Sequence, residues 1–205
     1  METCSIVPKV KIQEIDTNSD TPNVTEKVLA ALAYRNFTIG IDSETVVIEG
    51  KEHHKNNYAE SDARAFLKDV ESSCFFNHDE ALLTTEVDNS KNSANCDEKY
   101  ACDNTNDKLF LPSYKEMTNA SHGFSTNASR DDTARRAKPT EFAVATGCAY
   151  YSGSDSEIVG NSTYWLRSPY NGAGYAKVVD YAGDIFQYQT FNSNGLRICA
   201  NIQIG

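Results

Sequence analysis

Apolar positions along the chain recur on two periods. Residues 10–15 (VKIQEI) alternate apolar and polar, as a half-buried strand does. Residues 22–35 (PNVTEKVLAALAYR) start with Pro22 and place Val28, Leu29, Leu32 and Ala33 on one stripe, predicting a helix. Residues 37–41 (FTIGI) and 44–50 (ETVVIEG) predict two strands about an Asp42–Ser43 turn, followed by a polar, turn-like KEHHKNN. Residues 61–73 predict a helix capped by Ser61, with Ala63, Phe66, Leu67 and Val70 inward. HDEALLTTEV predicts a short helix and then a strand. The Asn- and Asp-rich stretch 89–107 has little to bury and predicts a surface loop.

KLFLP predicts a short buried strand, and Ser113 with Glu116 has the spacing of a helix capping box. Residues 118–137 predict a second long polar loop. KPTEFAVATG predicts a short helix with Pro139 in its first turn and Gly147 beyond its end. The C-terminal third is strand-like: YWLRS, YAKVV, DIFQYQ and GLRICANIQI, with a turn at 182–184. Helices and strands do not alternate in a βαβ rhythm, so the predicted class is α+β.

Composition narrows the function classes. The 205 residues carry 19 Lys and Arg against 29 Asp and Glu, a net charge of −10. A nucleic-acid binder needs a basic face, and anionic membranes select for one too. No run approaches the length of a membrane span, and the N-terminus lacks the basic start and apolar run of a signal peptide. The expected location on this ground is cytoplasmic. The six cysteines include no CxxC pair, so no structural metal is expected; a Cys96–Cys102 bridge is an open alternative.

Catalytic signatures are sparse. Neither HExxH, GxSxG nor a phosphate-binding glycine loop occurs. His53 and His54 cannot share one strand face and predict a solvated turn. DTNSD (16–20) starts like a calcium loop but has Thr21 and Lys27 where glycine and a bidentate acid belong. No catalytic residue, metal or cofactor is assigned.

One stretch breaks the pattern. YNGAGYAKVVDYAGDIFQYQTFNSNG (170–195) sets Tyr170, Tyr175, Tyr181, Tyr188, Phe186 and Phe191 among Gly, Asn, Asp and Ser. Tyrosine offers a large rigid contact area at low entropic cost, and small polar residues adapt around it, as in antibody paratopes. Tyr and Phe are also ordinary strand formers. In DIFQYQT, Phe186, Tyr188 and Thr190 share a face, with Ile185 on the other as the anchor.

Four runs occur in a recognisable order: TNDKLFLPSYKEM, RRAKPTEFAVATG, YWLRSPYNG and GLRICANI. With SDARAFLKDVESSCFFNHDEALLTTEVDNS upstream, they resemble a bacterial and phage domain family over residues 56–205. Tyr164 stands in place of the first Trp of its WWLRSP motif, and Ile198–Cys199 in place of Pro-Ala. The family is similar to proteins with the C-type-lectin fold of the formylglycine-generating-enzyme type. Several members are variable proteins of diversity-generating retroelements, in which adenines of a C-terminal coding stretch are rewritten. Asn codons altered this way yield Tyr, Asp, Ser, Gly, Ala and Phe, never a stop.

The resemblance implies a C-type-lectin-like domain at 56–205 with a variable region at about 165–198. Residues 1–55 carry no such resemblance; their strand–helix–hairpin character predicts that they pack on the same core. The resemblance implies a binding protein, not an enzyme, recognising a protein or cell-surface ligand, and it adds a phage particle as the alternative location. The candidate contact residues are Tyr170, Asn171, Tyr175, Asp180, Tyr181, Asp184, Phe186, Tyr188, Phe191 and Asn192; the candidate scaffold is Trp165, Leu166, Arg167 and Arg197. Lys177, Gln187 and Gln189 lie outside the reach of adenine changes in Asn codons. They belong to the scaffold, or they count against diversification of this copy. The alternatives are a fixed adhesion or structural domain of the same fold, and an oxidase of the formylglycine-generating type, for which Cys148 and Cys199 would be remnants.

Overall fold

A computed structural model describes residues 23–24, 27–28, 30–33, 45–74, 82–129 and 131–202. In chain order these form β1 (Asn23–Val24), β2 (Lys27–Val28), β3 (Ala30–Ala33), β4 (Thr45–Ile48), β5 (Lys51–His54) and α1 (Asp62–Cys74). Next come β6 (Leu82–Leu83), β7 (Thr85–Val87), α2 (Lys91–Ala94), β8 (Thr105–Asp107), α3 (Tyr114–Met117), β9 (Lys138–Pro139) and α4 (Glu141–Ala145). The C-terminal strands are β10 (Tyr164–Pro169), β11 (Tyr175–Val179), β12 (Ile185–Gln189), β13 (Ser193–Leu196) and β14 (Cys199–Ile202). The fold class is α+β. No described helix is long and apolar enough to cross a membrane.

A strand with no solvent face has to lie inside a sheet with both sides covered. That strand is β10, buried at all six positions. It sits at the centre of a five-stranded sheet ordered β12-β11-β10-β13-β3. Neighbours run antiparallel except β10 and β13, which are parallel at Tyr164↔Gly195.

Alternation then divides the core. Trp165, Ala176, Val178 and Leu196 join Leu67 of α1 and Leu109, Phe110 and Leu111 on one side. Tyr164, Leu166, Val179 and Ile185 meet Met117, Phe124, Ala143 and Cys148 on the other. Consecutive residues of one strand thus belong to different cores, which is why YWLRSP shows no hydrophobic period.

Several helices form where their end signals stand. Ser61 Oγ accepts the Arg64 N–H (3.1 Å) at the start of α1. Ser113 and Glu116 make a reciprocal capping box, and Thr140 Oγ1 accepts the Ala143 N–H (3.0 Å) at the head of α4. Gly147, past the end of α4, has φ +98°, the left-handed conformation glycine favours.

Several local expectations fail, the KLFLP strand among them: only Phe110 of that run makes a bridge, to Cys199. The described residues of the segment 22–35 are strands, not helix: β1, β2 and β3 pair with β14, β9 and β13. Helix propensity differs by only tenths of a kcal/mol per residue and yields to a completed ladder. The polar stretch KEHHKNN is not a turn from its start. KEHH is strand β5, and the turn is Glu49–Gly50, with φ of +51° and +79°. His54 consequently is buried rather than solvated, with Nδ1 3.1 Å from Thr45 Oγ1. The stretch 89–107 holds β8, whose Asp107 is fully buried against Arg64 (2.8 Å) and Lys68 (3.0 Å). Pro139 precedes the N-cap of α4, in β9, instead of lying in its first turn.

The predicted strand at 10–15, the calcium-like start at 16–20, the strand and turn at 37–43 and the start of HDEALLTTEV at 78–81 lie outside the described residues. Cys96 and Cys102 are free thiols, and no bridge joins them. Burial pushes the Cys96 thiol up to about 11.

Candidate functional site

The C-terminal aromatic residues do not share one environment. Phe191 is 56 % exposed, and Tyr181, Phe186 and Tyr188 are 38–39 % exposed. Phe186 and Tyr188 share a face of β12, with ring centroids 5.6 Å apart at 61°, an edge-to-face contact. Their cross-strand partners are Val178 and Ala176, both buried. The tip of the β11–β12 ribbon therefore extends a core face into solvent. Ile185, at the root of β12, is buried and holds the strand down. Thr190 departs from the expectation: it is fully buried, so the exposed face of β12 ends at Tyr188.

The remaining aromatic candidates are half-buried. Tyr170 lies against the Lys177 ammonium (5.3 Å to the ring centre), and the Tyr114 ring lies 4.7 Å away. Lys177 is only 7 % exposed, and its ammonium makes neither a hydrogen bond nor an ion pair among the described residues. Burial holds its pKa below the ordinary lysine value, and the two rings are its principal stabilisation. Tyr181 packs on Tyr151, with ring centroids 4.9 Å apart at 30°.

The polar candidates are largely occupied with shaping loops. Asp180 Oδ1 accepts the N–H groups of Ala182 (2.9 Å), Gly183 (2.8 Å) and Asp184 (2.9 Å). It is the organiser of the β11–β12 turn rather than a free contact group. Asn171 Oδ1 accepts the Asp97 N–H (2.6 Å), tying the 170–174 loop to the 95–100 segment. Asp184 is held above the usual carboxylate range, by burial first and then by the charges of Asp180 and Asp131. The Asn192 N–H donates to Gln189 O (3.0 Å), so the residue helps turn the chain between β12 and β13.

Gly183 makes the β11–β12 turn possible. Its φ is +98°, and a Cβ there would collide with the Asp132 main chain. Gly183→Ala is expected to lower stability by about 3 kcal/mol, combining backbone strain and overpacking, as read from urea unfolding.

Beneath the surface the frame is rigid. Trp165 and Leu166 are fully buried, one in each core. Arg167 Nη1 and Nη2 donate to the Glu116 carboxylate (2.7 and 2.8 Å), and Nη1 also donates to Leu111 O (2.7 Å). Arg197 Nη1 donates to Arg135 O (3.0 Å) and Tyr164 Oη (2.9 Å), and Tyr164 Oη donates to Arg135 O (2.6 Å).

Two positioning residues escaped sequence reasoning. Arg135 is fully buried; its guanidinium donates to Met117 O, Ala128 O, Gly183 O, Asn127 O and Ser125 O. It thereby fastens the long loop 118–137 to the β11–β12 turn. Asn56, also fully buried, directs Nδ2 at Tyr170 O (3.2 Å), Gly172 O (3.0 Å) and Tyr175 O (2.8 Å). Neither type advertises burial, since both are usually exposed in folded chains.

The profile of a domain of unknown function, DUF6273, matches residues 30–204. The chain belongs to the DUF6273 family. No curated protein and no solved structure matches it. The span assigned to the DUF6273 domain opens on β3, a member of the sheet that carries the aromatic surface, and takes in β4, β5 and Asn56.

The chemical inventory of the DUF6273 domain is plain. Among the described residues no group of three or more His, Cys, Asp or Glu is gathered to hold a metal ion. Cys148 is buried, 2.8 Å from Ser162 Oγ, and Cys199 is fully enclosed; burial pushes both thiols up. Thiols held protonated in this way are poor nucleophiles.

Proposed function

We propose that this domain is a binding protein that recognises a protein or cell-surface ligand through its C-terminal aromatic surface. The observation that carries the reading is the pairing of exposed Tyr181, Phe186, Tyr188 and Phe191 with a frame whose Trp165, Leu166, Arg167 and Arg197 are buried. Side chains that the core does not need can change without unfolding the domain. Large aromatic side chains are also the ones that dominate interface energies.

The same reading takes the fold to be C-type-lectin-like, of the formylglycine-generating-enzyme subtype. It takes residues 165–198 to be the product of a diversity-generating retroelement. Buried Lys177 fits the scaffold role its codon requires. Exposed Gln187 and Gln189 are then fixed positions on an otherwise variable strand.

The test is the triple variant Phe186→Ala, Tyr188→Ala, Phe191→Ala. Binding of the labelled domain to bacterial cells and to an array of surface proteins should fall at least tenfold. The melting temperature should move by no more than about 3 °C. A large stability loss would instead assign these rings to the core. Sequencing the flanking DNA supplies a separate check: an imperfect repeat of the 165–198 coding stretch, differing at adenines, is expected beside a reverse transcriptase.

A further inference from the structure

A cavity of about 330 Å³ opens between β5, the turn at 57–60 and the segment 90–103. None of the residues lining it belongs to the C-terminal aromatic surface. Ligand cavities run from roughly 300 to 1,000 Å³, so this one suits a small molecule.

His54 forms part of its wall and is only 8 % exposed. The ring packs on Tyr100, with centroids 5.3 Å apart at 58°, and Nδ1 lies 3.1 Å from Thr45 Oγ1. Nε2 has no hydrogen-bond partner among the described residues. Glu52 Oε2, at 4.0 Å, is out of hydrogen-bond reach. Buried ring nitrogens are normally paired, so this one points to a partner supplied from the cavity.

The charges around the cavity divide into committed and spare ones. Lys51 is bound to Asp103 (3.2 Å) and Glu60 to His53 (2.8 Å). The side chains of Lys91, Lys99 and Glu98 make no hydrogen bond or ion pair among the described residues, and Glu52 reaches nothing closer than His54. Lys99 Nζ lies 4.8 Å from the centre of the Tyr100 ring, which holds it at the rim. Two ammonium groups and two carboxylates are therefore left to meet a ligand. A simple anion would confront Glu52 and Glu98, and a simple cation Lys91 and Lys99. An apolar molecule would take water from His54 Nε2 and give nothing back.

We infer that this cavity binds a free α-amino acid. The ligand carboxylate accepts from His54 Nε2–H and from the ammonium groups of Lys91 and Lys99. The ligand ammonium donates to Glu52 and Glu98. His54 Nδ1 then accepts from the Thr45 hydroxyl, which leaves the ring proton on Nε2, where the carboxylate needs it. Opposite charges held on one carbon suit a pocket of mixed sign better than either charge alone. This site is independent of the aromatic surface and of the ligand proposed for it.

Thermal unfolding of the full chain at neutral pH, with each common amino acid in turn, tests it. At ten times its dissociation constant the preferred amino acid should raise the melting temperature by about 3 °C. By titration calorimetry its N-acetyl and amide derivatives, each missing one charge, should bind at least tenfold more weakly. His54→Phe keeps a ring against Tyr100 but removes Nε2, and should weaken binding at least tenfold. Lys99→Glu reverses an exposed charge and should weaken it about threefold. Should His54→Phe misfold, Lys99→Glu decides. The triple variant Phe186→Ala, Tyr188→Ala, Phe191→Ala should bind the amino acid as the parent does, which separates this site from the aromatic surface. The inference is overturned by any of four results: no amino acid shifts the parent, the derivatives bind equally well, the deciding variant binds undiminished, or the triple variant loses binding.

Discussion

Replacing Glu116 by Gln is expected to lower stability by about 3 kcal/mol, at the lower end of what breaking a buried ion pair does. In a domain of this size that is roughly a 10 °C fall in melting temperature. The carboxylate accepts two charge-assisted bonds from Arg167 and one from the Ser113 N–H (2.6 Å). Its removal leaves the guanidinium of Arg167, 3 % exposed, with only carbonyls to bond. Arg167 lies in β10 and Glu116 in α3, so the pair fastens a helix to the central strand.

The pair also sets a pH dependence. Burial by itself would raise the Glu116 carboxyl, but the Arg167 charge and bonds outweigh it, and the group titrates below its ordinary 4.5. The unfolded chain therefore binds the proton first as pH falls. The stabilisation is fully present above that ordinary value and disappears as pH drops through the lower, folded value. Asp107, beside Arg64 and Lys68, behaves in the same direction. Urea unfolding from neutral pH down to acid should show parent stability falling steeply below about pH 4.5, with a shallower slope for Glu116→Gln.

Arg135→Met is expected to produce the second large effect, about 3–4 kcal/mol, with a local signature. Methionine fills the space but leaves the carbonyls of Met117, Ser125, Asn127, Ala128 and Gly183 without their donor. Each buried acceptor stripped of its partner costs about 1–3 kcal/mol, less where water can reach it. The loop 118–137 should become the first site of limited proteolysis, while α1 and the β7–β8 ribbon keep their resistance. Equal cleavage of parent and variant within 118–137 would show that Arg135 does not fasten the loop.

Much of the architecture was legible because its signals are local. Ser61, Ser113 and Glu116 mark helix starts through bonds to their own first turns. β10, β11 and β12 carry β-branched and aromatic residues at densities that few other conformations accommodate. The exposed aromatic residues were legible for the opposite reason: Phe186, Tyr188 and Phe191 are larger than a polar, Gln- and Asn-flanked strand requires.

What escaped the sequence depends on partners far along the chain. Helical spacing in 22–35 is a local preference, and β3 exists because β13 needs a neighbour some 160 positions away. Asp180 and Asp184 are the same residue type four positions apart. One closes a turn with three N–H groups, and the other is raised by burial first and then by its acidic neighbours. Sequence by itself determined the α+β class, the caps, the strands β10, β11 and β12 and the unusual aromatic content of 170–191. Tertiary structure alone decided which rings face water, that Lys177 is enclosed by two tyrosines, and that Arg135 and Asn56 hold the loops. Propensity and capping act within a turn of the chain, whereas burial is set by whatever the fold brings alongside.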